Sequence, residues 1–370
     1  MKSSDKNAFG YLDALKGLAI LAVTMVHTGV GKLPGFFGKI GNDGARGVQM
    51  FFVISGILAF CSLKRAFPDG KPSFTGVLKW YLKKYLRIAP LYYFAVLISM
   101  FTGSWSAHWL GSEGVVSFKN ILAHVFLMHG LFPHYTDSVL GVEWYLGVLW
   151  IFYLITPILF KVVSSLEKAV IFIVAVFIVN PFCNMGLAYI LPAGPDPYIY
   201  KEYLENFGPF SQFLVYSFGI LLYFVIVKLR DKQIKHKKVL AYALLIFATI
   251  LVFGQVAGAG NPVWFSRYEM FGLFFAIIIF SQAIYPSVLI DNHVFKFIGR
   301  YSYGIYLFQF IWLHFYEKYI CYTGRFAWAV KFAVSVLALL AISFLLTEFC
   351  EKPLHKKLLK LTSGERLKDE

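Results

Sequence analysis

Residues 11–30 read YLDALKGLAILAVTMVHTGV, an apolar run long enough to cross a bilayer that nonetheless carries Asp13, Lys16 and His27. Charged side chains at membrane depth are costly enough to be rare, so their spacing is informative. Lys16 and His27 are eleven residues apart. At about 100° and 1.5 Å per residue, that interval returns to within about 20° of one helix face and separates the two by roughly 16 Å. Asp13 falls about 40° to the other side of the stripe. One face of one helix is thus expected to carry a cation low down and an imidazole high up. A plainer alternative is an Asp13–Lys16 pair snorkelling at the membrane edge, with His27 bonded to a carbonyl at the helix end.

Working outward, 58% hydrophobic residues and 15% charged residues in a 370-residue chain, with a mean hydropathy of +0.65, point to one polytopic all-α membrane domain. The first segment carries internal charges and no small-residue cleavage site after His27, so it is expected to be retained rather than removed as a signal peptide. A net charge of +15 would suggest nucleic acid as a partner of a soluble chain. Here the excess lies between and beyond the apolar runs, where it is a topology signal, and no nucleic-acid partner is expected. Cys61, Cys183, Cys321 and Cys350 show no metal-ligand spacing, and only Cys183 and Cys321 are expected near a common surface. No metal is expected.

A glycine-rich turn, GVGKLPGFFGKIGNDG, leads to a second span from about Ala45 to Leu63. The connection that follows carries Lys64, Arg65, Lys71, Lys79, Lys83, Lys84 and Arg87, which marks it and the N-terminus as cytoplasmic. A third span runs from about Ile88 to Thr102. The segment 118–132 holds His124 and His129 and is short for a span. Treated as a re-entrant or interfacial helix, it leaves the basic loop 228–238, the turn 161–168 and the tail EKPLHKKLLK all cytoplasmic. Further spans follow near 144–162, 169–190, 209–227, 239–258, 268–285, 301–318 and 327–349. About ten transmembrane helices result, with both termini cytoplasmic. Residues 1–370 form a single domain, 350–370 being a short basic cytoplasmic tail, with no fused extracytoplasmic domain expected. The histidines at 124, 129 and 134 are five apart and do not share a helix face, which favours ordinary polar contacts over metal binding.

Gly44, Gly47 and Gly56 permit close approach of another helix or a ligand, and Ser55 puts a hydroxyl near mid-membrane. Arg46, near the outer interface, calls for an anionic partner. Lys84 and Arg87 share a face at the cytoplasmic mouth of the third span, where they could grip a polyphosphate or simply anchor the helix.

These residues resemble the acyltransferase 3 family of integral membrane acyltransferases. Lys16 and His27, preceded by Leu12-Asp13, fit its basic-residue, ten-residue-gap, histidine pattern. Gly44 to Gly56 is similar to its G-x-x-G-V-x-x-F-F-V-I-S-G signature, Lys84 to Pro90 to its basic-x-x-R-x-x-P element, and GRYSYGIYL from Gly299 to Leu307 to a late S-Y-x-x-Y-L element. The chain departs at three places. Where many members have a glutamate five residues after a tryptophan, Trp144 is followed by Leu149, and Glu143 stands just before it. Gln309 replaces a late histidine, and Gln49 a frequent aspartate.

The resemblance implies a multi-pass protein of the bacterial cytoplasmic (inner) membrane. It implies transfer of an acyl group, usually acetyl, from cytoplasmic acetyl-CoA to a hydroxyl of a cell-surface glycan or its lipid-linked precursor. On that view His27 and Glu143 are catalytic, Lys16, Lys84, Arg87 and Arg300 contact acyl-CoA, and Arg46, Asp13, Ser55 and Trp144 contact the acceptor. The rise from Lys16 to His27 is comparable to a pantetheine arm. A transporter or polysaccharide-export partner, or an acyltransferase using a succinyl donor or a non-polysaccharide acceptor, is the alternative.

Overall fold

The computed structural model describes residues 9–104, 116–191, 197–230, 232–262, 265–324 and 326–363. The last residues of the expected tail, 364–370, lie outside them. Among the described residues there is no strand. In chain order the helices are α1 Gly10–His27, α2 Gly35–Asp43, α3 Gly47–Ala66, α4 Phe74–Thr102, α5 Phe118–Val125, α6 Trp144–Val162, α7 Leu166–Ile190 and α8 Pro197–Glu202. They continue as α9 Pro209–Leu229, α10 Lys237–Ala257, α11 Arg267–Ile284, α12 His293–Arg300, α13 Ser302–Tyr319, α14 Ala327–Leu346 and α15 Lys352–Ser363.

Nine segments among the described residues are long and apolar enough to cross a membrane. The expected tenth, α13, is 18 residues long but carries Gln309, His314, Glu317 and Lys318, which lower its apolarity. Eight-residue α5 is too short to span, at ~1.5 Å per residue. Two expected boundaries are corrected. The glycine-rich turn contains α2, entered at Pro34. The basic connection is brief, because α4 begins at Phe74, with the Ser73 hydroxyl accepting the Gly76 N–H at 3.2 Å. Lys79, Lys83, Lys84 and Arg87 are therefore helical, on an extension that buries Trp80.

Burial separates inner helices from outer ones. In its most apolar stretch α3 is 67% buried and α7 only 11%. Side chains such as Ile171, Phe182 and Leu337 lie open on the outer helices, an apolar sheath suited to lipid. At the centre α1 packs antiparallel to α3 and also meets α12, α13 and α14. The glycines of the second span are what allow this. A Cβ on Gly44 or Gly47 would stand 2.2 or 2.5 Å from the carbonyl oxygens of Ala22 and Ala19 on α1. Gly299, on α12, lies so close to α1 that a Cβ there would be 1.7 Å from the Asp13 carbonyl oxygen. The late glycine is thus a helix-crossing residue, and it fixes the start of α1 against α12. All four cysteines are free.

Candidate active site

Because α1 and α3 run antiparallel, the two ends of α1 face different surroundings. At one end, a cavity of about 1040 Å³ is edged by Lys64, Arg65, Arg230, Lys232 and Lys237. Its interior is apolar, with Leu58, Tyr223, Phe280 and the Cys61 thiol. Tyr11 also lines it, and the buried Tyr11 hydroxyl has no partner. None of the four cations proposed from sequence to contact acyl-CoA lines this space. Lys16 is bridged to Asp13 at 2.6 Å on α1. Arg300 is exposed at the end of α12, near Glu348. Arg87 is exposed on α4, whereas Lys84 turns inward over the rings of Tyr153 at 4.7 Å and Trp80 at 5.2 Å. Lys84 lies within electrostatic range of Cys61 and Arg65, which line the cavity.

At the other end, a cavity of about 380 Å³ is lined by His27 and Val23 of α1, Arg46 and Gln49 of the α3 entry, Trp144, Tyr306 and Phe310. The His27 ring meets Phe310 edge-on at 4.5 Å. Arg46 stacks its guanidinium over Tyr268 at 4.2 Å. The neighbouring carboxylate, Asp43, is bridged to Arg267 at 2.5 Å and lies within electrostatic range of Arg46 as well. Tyr268, Glu202 and Asn206 complete this wall. Three of the residues singled out from sequence therefore share one cavity: His27, Arg46 and Trp144. About 24 Å of helix separates His27 from Tyr11, at ~1.5 Å per residue.

Between the cavities runs a string of polar and aromatic contacts. The Ser55 hydroxyl sits 3.0 Å from the Tyr145 hydroxyl, and Tyr153, whose ring carries Lys84, lies within electrostatic range of Tyr145. The Tyr145 ring meets Tyr306 edge-on at 5.7 Å, and Tyr306 lines the His27 cavity. Ser55 is thus a mid-bundle link rather than a wall of the outer cavity. Asp13, at the opposite end of α1, is remote from that cavity.

Glu143 has no solvent exposure and does not line the His27 cavity. Its carboxylate accepts the amides of Val139, Leu140 and Val142 at 2.5, 3.0 and 3.0 Å, folding residues 137–143 into a tight cap over the start of α6. His124 Nε2 stands 3.5 Å from Glu143 Oε1. The His129 Nε2–H donates to the Glu143 carbonyl at 2.9 Å, and the two imidazoles stack at 4.4 Å. Five-residue spacing does not put two histidines on one helix face. Here they meet because α5 ends at Val125 and the backbone reverses through Leu127 at φ 55°. No group of three or more metal-ligating side chains occurs among the described residues.

The sequence reading missed Asp137. It is 5% exposed, lines the His27 cavity and lies against the Glu143 carboxylate. Burial, and then the charge of Glu143, hold the Asp137 carboxyl well above the usual carboxylate range. Burial and the neighbouring His124 hold the His129 imidazolium down to about 3, so that ring is neutral.

Comparison with known proteins agrees with the motifs. A family model described as an acyltransferase domain matches residues 9–348. Proteins named as O-acetyltransferases in the COL, MSSA476 and MRSA252 strains of Staphylococcus aureus are each 24% identical over 374 residues. The match takes in 94% of this chain and 58% of each relative, so the chain spans under two thirds of the length of those proteins. No solved structure matches. With a family model covering almost its whole length, the chain belongs to the acyltransferase 3 family of membrane acyltransferases.

Proposed function

We propose that this protein transfers an acetyl group from acetyl-CoA, bound at the basic end of α1, to a hydroxyl of a surface glycan or its lipid-linked precursor held in the His27 cavity. The membrane is the bacterial cytoplasmic membrane, and the basic end faces the cytosol. The observation that carries this reading is the placement of His27 at one end of α1 and a cation-edged cavity at the other, linked through Lys84, Tyr153, Ser55, Tyr145 and Tyr306.

Each residue then has a defined task. The cations at the cavity edge, with Lys84 and Arg87 beside them, take the phosphates of the nucleotide. The apolar interior takes the start of the arm, whose thioester end extends along α1 past Ser55 and Tyr145 toward His27. His27 removes the proton from the acceptor hydroxyl as its oxygen attacks the acetyl carbon. The C–O bond forms as the C–S bond breaks, and the imidazolium returns its proton to the departing thiolate. An acetyl group held briefly on His27 is an equivalent route, in which the ring is the first nucleophile. Trp144 offers a flat face to a sugar ring, and Glu143 holds the cap that positions both. Lys16, tied to Asp13, acts on the donor through its field.

The test is transfer of label from radiolabelled acetyl-CoA by purified protein, wild type against His27→Ala. Loss of transfer in a variant that remains folded supports the reading. Undiminished transfer removes His27 from the chemistry, and absence of transfer by the wild type favours an export role.

A further inference from the structure

Resting on that reading, the stretch 137–144 that walls the His27 cavity can be traced to what holds it. Asp137, Gly141, Val142 and Trp144 all line the cavity. The chain turns back through Gly141 at φ 77°, and the Tyr306 hydroxyl donates to the Val142 carbonyl at 2.5 Å. The same loop is tied at three points to α5 and the turn after it. Asn120 and Ser138 bond through their side chains, the Asn120 amide donating at 3.0 Å and the Ser138 hydroxyl at 3.2 Å. The Thr136 hydroxyl donates to the His129 carbonyl at 3.2 Å. His124 Nε2 lies 3.5 Å from Glu143 Oε1, within ion-pair range.

The burial pattern of α5 is the reverse of an ordinary helix. Its buried side chains are Asn120, Ala123 and His124, while Phe118, Ile121, Leu122 and Val125 are exposed. A helix too short to span, with apolar residues outward and polar ones inward, delivers those polar residues to the bundle. His124 is itself fixed there. Its Nδ1–H donates to the Asn120 carbonyl at 3.1 Å, since a carbonyl only accepts, and its ring stacks on His129 at 4.4 Å and against Tyr92 at 6.4 Å. The Glu143 carboxylate that it faces is the one that gathers the amides of Val139, Leu140 and Val142.

We propose that His124 is a positioning residue for the transfer: through Glu143 it holds the 137–144 stretch so that Asp137, Val142 and Trp144 stand where the acceptor meets His27. His124 does not line the cavity and acts only through its neighbours. Its loss lets Glu143 and the amides gathered on it shift, and a displacement of about 1 Å in such a wall costs on the order of 10²-fold in rate. Donor binding, at the other end of α1, is left as it was.

Two variants separate the polar contact from the packing. His124→Phe keeps a ring for the stack and removes both nitrogens, whereas His124→Gln gives up the ring and keeps an N–H for the carboxylate. With radiolabelled acetyl-CoA and methyl glucoside as acceptor, His124→Phe is expected to lower kcat about 10–100-fold at unchanged KM for acetyl-CoA, and His124→Gln to recover most of the loss. A ring that served packing alone would give the opposite order. Full activity in His124→Phe, a raised KM for acetyl-CoA in place of a lower kcat, or His124→Gln no better than His124→Phe overturns the proposal. If His124→Phe fails to fold, Asn120→Ala takes its place, freeing Ser138 from α5 with the stack intact. It is expected to lower kcat about tenfold at constant donor KM, and an unchanged kcat overturns the proposal. Hydrogen exchange measured without acetyl-CoA separates this claim from the functional one. The amides of Val139, Leu140 and Val142 should exchange faster in His124→Phe than in the wild type, while those of α1 keep their rates. That result upholds the positioning claim whether or not transfer is seen, and unchanged exchange over 137–143 overturns it.

Discussion

The two cavities at the ends of α1 are built on opposite principles. The basic-end cavity is large, apolar inside and edged by lysines and arginines. The His27 cavity is about a third of its size, and its polar groups are held by second partners: Gln49 by Gln212, Asp137 by Glu143, Arg46 by the ring of Tyr268. A mobile cationic rim suits a polyanion that must enter and leave. Rigid, oriented dipoles suit the place where a bond is made. On the proposed reading, the difference teaches that charge marks the entrance, while the chemistry belongs to the end with fewer charges and more fixed hydrogen bonds.

The sharpest way to break that contrast is at His27. His27→Ala is expected to lower acetyl transfer by about 10²–10⁴-fold with the KM for acetyl-CoA unchanged, since a general base is lost and the distant donor site is untouched. Steady-state kinetics with varied donor decide it. At the opposite end, replacing Lys64, Arg65 and Arg230 together with glutamine is expected to raise the KM for acetyl-CoA by about tenfold at constant kcat. A fall in kcat instead would place those residues outside donor binding. Gly299→Val acts on the scaffold that keeps the ends in register. Its Cβ would press on the Asp13 carbonyl, and overpacking of this kind costs about 1–3 kcal/mol, read as a lower melting temperature.

The smallest effect expected is that of pH on the cap. His129 has an ordinary value near 6.5 and is held down to about 3 in the folded chain. Between those values the unfolded chain binds a proton that folded His129 refuses, so stability falls as pH drops through this window. His129→Gln should flatten that decline in melting curves taken across it.

Much of the scaffold could be seen in the sequence, because bilayer thickness forces long apolar runs and the runs are legible one at a time. The α1 stripe was legible for the same reason, since a single unbroken helix converts spacing into geometry. The helical start of α4 is obscured in the sequence because lysines crowd it, although Trp80 in the same segment is buried against the bundle. Sequence placed His27, Arg46 and Trp144 in the neighbourhood where they are found. It could not show that residues 137–143 fold back on the Glu143 carboxylate, and so it passed over Asp137. The only local signal was an acidic residue among the small and apolar ones of DSVLGVE. Glu202, Asn206 and Tyr268 reach the cavity from remote parts of the chain, where no local pattern announces them.

The most direct test of the central claim, that donor and acceptor sites stand at opposite ends of α1, is sided. Protein is reconstituted in vesicles with its basic end outward, labelled acetyl-CoA is added outside, and a membrane-impermeant polyhydroxyl acceptor is enclosed within. Labelled ester inside the vesicles, absent with His27→Ala, is the predicted result. Label that appears only on acceptor supplied to the donor's own side would contradict the account.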